Sequence, residues 1–265
     1  MKIKQKILKK IIQLAKLSNY LFLKQEKLSR CPYCNSKKLE FFYSKYVEFK
    51  KIRIDKCLNC DLCMQNPRID KSSIDDFYNS VYRSKFDKKH ISGLISRGKS
   101  RGKYIFEYIY ENNKFNKSLS VLEYGCGYGG ILEYFRDKSF DIYGIEKDVK
   151  LNESLNERNI KVFNGELAEY NKNIKFDLII LSHVLEHLYD PSSLINEAYK
   201  LLKPNGKLYI EVPGINNERI KKRYYSIQLG HLFYFNLNSM LNLIDKDKFN
   251  IVKSNENVQL LLNKI

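Results

Sequence analysis

Val121-Leu122-Glu123-Tyr124-Gly125-Cys126-Gly127-Tyr128-Gly129-Gly130 decides the fold of this 265-residue chain. An apolar run ends in an acid, and glycines follow at alternate positions. Ile131-Leu132-Glu133-Tyr134-Phe135 then continues with helical spacing. The stretch reads as strand, tight turn, helix. Glycine lacks Cβ, so the backbone turns sharply there and approaches a ligand closely. A glycine motif alone is weak, and its surroundings decide its meaning.

Working outward, Phe140-Asp141-Ile142-Tyr143-Gly144-Ile145-Glu146 is a short second strand ending in an acid, with Glu146 placed 21 residues after Gly125. A βαβ unit delivers a carboxylate to ribose hydroxyls at this spacing. Dinucleotide folds and S-adenosylmethionine folds share that much. The glycine pattern here is tighter than Gly-x-Gly-x-x-Gly, and Glu123 would repel a pyrophosphate but could help bind a cation. Both details favour the second. Lys161-Val162-Phe163 reads as a third strand, followed by Asn164-Gly165-Glu166-Leu167-Ala168-Glu169. Phe176 to Ser182 is nearly all apolar, as a buried parallel strand is. A helix is expected from Pro191 to Leu202, capped by Asp190. Lys203-Pro204-Asn205-Gly206 is a turn, and Lys207 to Pro213 is a fifth strand.

These ordered motifs, with Ser182-His183-Val184-Leu185-Glu186-His187-Leu188 and Leu201-Leu202-Lys203-Pro204-Asn205-Gly206, resemble class I S-adenosylmethionine-dependent methyltransferases over roughly residues 100 to 265. The resemblance implies an α/β fold: a Rossmann-like seven-stranded sheet with helices on both faces, ending in a hairpin that Phe249–Ser254 and Val258–Leu262 fit. It also implies site roles. Gly125, Gly127 and Gly129 would pass beneath the methionine part of S-adenosylmethionine, and Glu123 would lie near its amino group. Glu146 would accept from both ribose hydroxyls. Glu166, with the backbone of Leu167, would meet the adenine edge, with Glu169 as the alternative acid. Ser182 completes the cofactor set, and His183 would lie near the sulfonium. S-adenosylhomocysteine would be the product.

Cys31-Pro32-Tyr33-Cys34 and Cys57-Leu58-Asn59-Cys60 are two Cys-x2-Cys pairs separated by 22 residues. Two paired thiolate knuckles suit a tetrahedral structural zinc site, and the intervening alternation suits a β-hairpin, so residues 31–68 read as a zinc ribbon. Cys63 is a surplus thiol, and Cys126 reads as a small packing residue. The chain shows no convincing secretory signal, so the expectation is a cytoplasmic protein with reduced thiols. The cysteine head, then Asn66-Pro67-Arg68, then the core resemble bacterial methyltransferases of sugar and capsular-polysaccharide pathways, including those that methylate a capsular phosphoramidate. The expected division is a basic amphipathic helix (1–30), the zinc-ribbon head (31–68), a helical connector (69–113) and the S-adenosylmethionine-binding domain (114–265).

His183-Val184-Leu185-Glu186-His187 matches a His-x-x-Glu-His metal motif. It follows an apolar strand directly, so support of the next helix is the expected role of Glu186 and His187. A hydroxyl acceptor needs a general base, and histidine suits it best. Of His90, His183, His187 and His231, the last lies in Gly230-His231-Leu232-Phe233-Tyr234-Phe235, between the fifth strand and the end of the domain, and is the chosen base. Arg219, Lys221, Lys222 and Arg223 just before it could hold an acceptor phosphate or form a solvated loop.

The formal net charge is +17. Residues 1–30 carry nine Lys or Arg against Glu26, and Ile3, Ile7, Ile11, Leu14, Ala15 and Leu17 recur at helical spacing. The expected role of that helix is packing against the protein or a partner subunit, with an anionic membrane surface or nucleic acid as alternatives. No apolar run is long enough to span a membrane. The functional expectation is methyl transfer to a small sugar, nucleotide-sugar or phosphoramidate acceptor. The alternative is an RNA methyltransferase gripping phosphates through the head and residues 1–30. Against it, the fourth strand ends in Ser182-His183-Val184-Leu185, not in the Asn/Asp-Pro-Pro-Tyr/Phe that such enzymes resemble.

Overall fold

A computed structural model describes residues 11, 14, 15, 18–48, 50–82, 91–111, 118–170, 174–215 and 227–265. The chain divides into two compact units. One comprises Met1–Phe86 with Pro213–Met240, and the other Asp87–Val212 with Leu241–Ile265.

The first unit, the head, holds β1 (Gln25–Glu26), β2 (Leu39–Val47), β3 (Lys50–Cys57), β4 (Cys63–Gln65) and β5 (Arg68–Ile69). β2 and β3 form the antiparallel hairpin that the alternating sequence between the cysteine pairs predicts. Four strands make its sheet, in the order β11-β4-β3-β2, and β1 pairs with β5. β11 is Phe233–Tyr234, with Phe233 opposite Met64 and Tyr234 opposite Cys63. The linear order of motifs hides this contribution, because a two-residue strand exists only by virtue of its partner. The unit's core joins Tyr20, Ile52, Ile54, Ile69 and Phe77 to Ile227, Leu229 and Tyr234. Phe77 lies in that core, 1% exposed. In Asn66-Pro67-Arg68, the Asn66 amide donates to Asp55 (2.7 Å) and to the Leu28 carbonyl (3.0 Å), while its oxygen accepts from the Leu28 N–H (2.8 Å). Buried Arg68 pairs with Glu26 at 2.6 Å. This motif braces the head.

The second unit holds β6 (Ser120–Tyr124), β7 (Asp141–Ile145), β8 (Lys161–Phe163), β9 (Phe176–Ser182), β10 (Leu202–Glu211), β12 (Phe249–Asn255) and β13 (Gln259–Lys264). They form a seven-stranded sheet in the order β12-β13-β10-β9-β6-β7-β8. β13 runs antiparallel to both neighbours, and the central pairings are parallel. The helices are α1 (Ile91–Tyr110), α2 (Gly130–Asp137), α3 (Val149–Glu157) and α4 (Pro191–Leu201). Val121, Ile142, Leu178, Ile180 and Tyr209 pack against α1 to α3. The alternate residues Leu122, Ile179, Leu208 and Ile210 are equally buried, so both sheet faces are covered, as the apolar strands predict. Asp190 caps α4 by accepting from the Ser193 N–H at 3.1 Å. The fifth strand starts at Leu202, earlier than expected, and its pairing with β9 breaks between Leu202 and Lys207 where the predicted turn lies.

α1 meets α2 backbone to backbone. A Cβ on Gly98 would stand 2.8 Å from Gly130 Cα. Only hydrogen at both positions permits that approach, which brings α1 over the end of the glycine turn, where α2 begins.

Candidate functional site

β6 is flanked by β7 on one side and β9 on the other, so the strand order reverses beside it. Ligands of such sheets bind outside the carboxyl ends of the strands at that reversal. The opening motif lies there. Gly125, Gly127 and Gly129 all adopt left-handed backbone, with φ of 71°, 51° and 71°. The Gly125 and Cys126 N–H groups both donate to the Ile145 carbonyl (2.8 and 3.2 Å), tying the turn to β7. A Cβ on Gly127 would meet no atom within 4 Å. Glu146 follows β7 directly, and its carboxylate accepts from the Gly127 N–H (2.9 Å) and the Asp148 N–H (2.8 Å). Turn and acid are thus held as one piece.

Glu123 is only 3% exposed, and its Oε2 has no hydrogen-bond partner. Burial raises its pKa well above the ordinary value, the charge of Glu146 raises it further, and Arg101 draws it back. A buried carboxylate oxygen without a partner is costly. A cationic ligand group would remove that cost, so the residues fit a ligand carrying an ammonium and a sulfonium.

Arg101, on α1, places Nη1 3.4 Å from Ser182 Oγ and 3.7 Å from Glu211. Ser182 donates to Glu211 Oε2 at 3.1 Å, and Gln259 Nε2 lies 3.4 Å from Glu211 Oε1. The sequence reading singled out Ser182 but missed Arg101 and Glu211. Arg101 is one of four cations among Arg97, Lys99, Arg101 and Lys103, and nothing local separates it from the others. Glu211 lay inside the expected fifth strand, and nothing in the sequence set it beside Ser182, its partner on β9.

His183 follows β9 with φ of 57°, a conformation rarely adopted by side-chain-bearing residues. Its N–H donates to the Glu211 carbonyl at 2.8 Å, and its Nδ1 lies 3.3 Å from the buried Glu186. Leu185–His187 is a 3-10 turn, so the His-x-x-Glu-His run does not lie on one face of an α-helix. Glu166 pairs with the Tyr124 hydroxyl and with Lys147. Glu169 turns back to accept from the Glu166 N–H at 2.8 Å, and the Leu167 side chain is buried. Glu166 thus reaches Tyr124, the last residue of β6, while Glu169 folds back on the turn.

In the head, the Cys31 and Cys60 sulfurs lie 3.6 Å apart, those of Cys34 and Cys57 3.5 Å apart, and all four fall within 4.8 Å of one another. Zinc–sulfur bonds of about 2.3 Å at tetrahedral angles put sulfurs about 3.8 Å apart. The two knuckles repeat one backbone pattern. The Cys31 N–H donates to the Ser36 carbonyl (2.9 Å) and the Asn35 N–H to the Cys31 carbonyl (3.0 Å). The Cys57 N–H likewise donates to Leu62 (2.9 Å) and the Asp61 N–H to Cys57 (3.0 Å). Asn35 and Asp61 each adopt positive φ, at 58° and 65°. Burial raises the Cys31 thiol to about 11. At Cys34 burial also raises the pKa, but hydrogen bonds led by the Ser36 backbone bring it down to about 7. Four clustered cysteine sulfurs form a donor set that fits zinc. Cys63 lies outside this cluster, buried in the head core, and Cys126 is buried in the sheet unit's core.

His231 belongs to the head unit. It is 2% exposed, its ring centroid is 6.0 Å from that of Tyr234, and its N–H donates to the Gln228 carbonyl at 3.3 Å. His90 and the basic run from Arg219 to Arg223 lie outside the described residues.

Residues 98–254, more than half of the chain, match the family described as "Methyltransferase domain", and the chain belongs to that family. It is 30% identical over 128 residues to the ubiquinone biosynthesis O-methyltransferase of Coxiella burnetii, covering 46% of this chain and 53% of that one. It is 25% identical over 138 residues to the C-methyltransferase NovU of Streptomyces niveus, covering 50% and 33% respectively. The chain thus spans about a third to a half of the length of the curated relatives it matches. Among solved structures, magnesium protoporphyrin IX methyltransferase from Synechocystis with bound SAH superposes with a TM-score of 0.54 at 16% identity, covering 74% of this chain and all of that one. The plantazolicin methyltransferase BpumL in complex with SAH gives 0.53 at 17% identity, covering 73% and 98%. At these identities the likeness establishes the fold: a Rossmann-like methyltransferase sheet.

Proposed function

We propose that this protein is an S-adenosylmethionine-dependent methyltransferase acting on a small sugar, nucleotide-sugar or phosphoramidate acceptor of surface-polysaccharide synthesis, with a zinc ion held by Cys31, Cys34, Cys57 and Cys60. The observation that carries the cofactor reading is Glu123: a buried, partly unpartnered carboxylate beside a left-handed glycine turn, at the reversal point of a methyltransferase sheet. The acceptor reading rests on the resemblance of the cysteine head and Asn66-Pro67-Arg68 to sugar and capsule methyltransferases.

S-adenosylmethionine supplies a methyl group on a positively charged sulfur, ready for in-line displacement. Around it, Glu123 opposes positive charge, and Glu146 accepts from ribose hydroxyls while fixing the glycine turn. Glu166 and the Leu167 backbone read the adenine edge. Arg101, balanced by Glu211 and Ser182, offers a guanidinium to a carboxylate. His183, held in a strained conformation, borders the reacting centre. His231 would take the proton that the acceptor hydroxyl gives up. Zinc is structural: it holds the two knuckles together and takes no part in transfer.

Titration calorimetry with S-adenosylmethionine and S-adenosylhomocysteine tests the cofactor reading, and absence of binding by either would sink it. Transfer of labelled methyl to nucleotide-sugars, capsular fragments or RNA then separates the acceptors. Methylation of RNA, with binding that falls steeply as salt rises, would replace the sugar reading by the nucleic-acid one.

A further inference from the structure

Residues 1–30 carry a net +8, nine Lys or Arg against Glu26. Among the described residues of this segment, 11, 14, 15 and 18–21 are helical. Tyr20 and Leu23 anchor it in the head core. Four other described apolar residues face solvent: Ile11 is 56% exposed, Leu14 64%, Leu21 70% and Phe22 85%. At about 100° per residue, Ile11, Leu14, Ala15, Ser18, Leu21 and Phe22 fall within an arc of about 120°. They form one exposed stripe within a segment whose sequence holds nine Lys or Arg. The expectation that this stripe packs on the protein itself does not hold for the described positions. The helix is fixed to the head by Tyr20, from the side opposite the stripe.

We propose that this stripe is a docking surface for an anionic lipid membrane, on which the helix lies in the plane of the headgroups. An exposed apolar face in a strongly cationic segment is the pattern of interfacial helices: the apolar residues enter the headgroup boundary and the segment's net positive charge draws it to anionic lipid. Charge selects this occupant over the others. A second copy would bring another +8 segment against the first. A nucleic acid would engage the lysines and leave Leu14, Leu21 and Phe22 in water. No described helix is long and apolar enough to cross a membrane, so the contact is peripheral.

The chain contains no tryptophan, so Phe22→Trp places a single reporter on the stripe. With vesicles of phosphatidylglycerol and phosphatidylcholine, its emission shifts to the blue and becomes protected from aqueous quenchers. Pure phosphatidylcholine leaves it unchanged. The full chain cosediments with the anionic vesicles, and Leu21→Glu with Phe22→Glu lowers the partition coefficient at least about tenfold. Both positions are exposed, so melting temperature and cofactor binding stay at wild-type values. Three results overturn the proposal: no cosedimentation with anionic vesicles, wild-type partition by the double glutamate variant, or a dimer in light scattering that the same variant dissociates.

Discussion

Replacing Glu123 by Gln gives opposite signs for cofactor binding and for the pH dependence of the fold. The substitution keeps the shape of a side chain that is almost fully buried and removes its charge. A charge-assisted contact to a bound cation is worth about 1.5–3 kcal/mol, so affinity for S-adenosylmethionine should fall roughly 10- to 150-fold. The direction of the pKa shift sets the pH behaviour. Burial and Glu146 hold the Glu123 pKa well above its ordinary 4.5. Below that value the folded and unfolded chains are both protonated. As pH rises past it, the unfolded chain releases the proton while the folded chain keeps it. The cofactor-free fold therefore loses stability with rising pH until the folded group itself ionises. A bound cation favours the ionised form, so affinity rises with pH over the same interval and binding releases a proton. Glu123→Gln removes both slopes. Calorimetry in two buffers of different ionisation enthalpy measures the proton release, and thermal melting across pH measures the stability slope. If the Gln variant bound S-adenosylmethionine with wild-type affinity and the wild-type pH slope, Glu123 would not be facing the cofactor's charge.

Metal analysis should find one zinc per chain, lost with Cys57→Ser but retained in Cys63→Ser, and chelation should unfold the head, seen as lost circular dichroism and raised protease sensitivity. His231→Asn should lower turnover about 100-fold or more with cofactor affinity unchanged, measured by labelled-methyl transfer to the true acceptor. Gly98→Ala sets a methyl against the Gly130 backbone at 2.8 Å and should cost about 1–3 kcal/mol in denaturant unfolding. Gly93→Ala, exposed in the same helix with nothing within 4 Å of the new carbon, should gain about 0.5–1 kcal/mol.

What could be read from sequence was what is local. The glycine turn, the apolar strands around it and Glu146 follow from backbone requirements within a few dozen residues, and the sheet order obeys them. The cysteine pairs were legible because metal-ligand spacing is short. Arg101 was not, since its role depends on α1 crossing close to α2, which two distant glycines permit. β11 was not, because hydrogen bonds to Met64 and Cys63 define it more than any propensity of its own. The left-handed backbone at His183 carries no mark in residue type at all.

The pairing of β11 with β4 has a consequence for engineering. The head is built from two separated stretches of chain, so exchanging it between relatives by cutting once after residue 86 would leave Tyr234, Ile227 and Leu229 facing a foreign core. A workable chimera must carry both stretches together. The loop that holds His231 then travels with the cysteine knuckles as one inheritable module, and variation in either should track variation in the other.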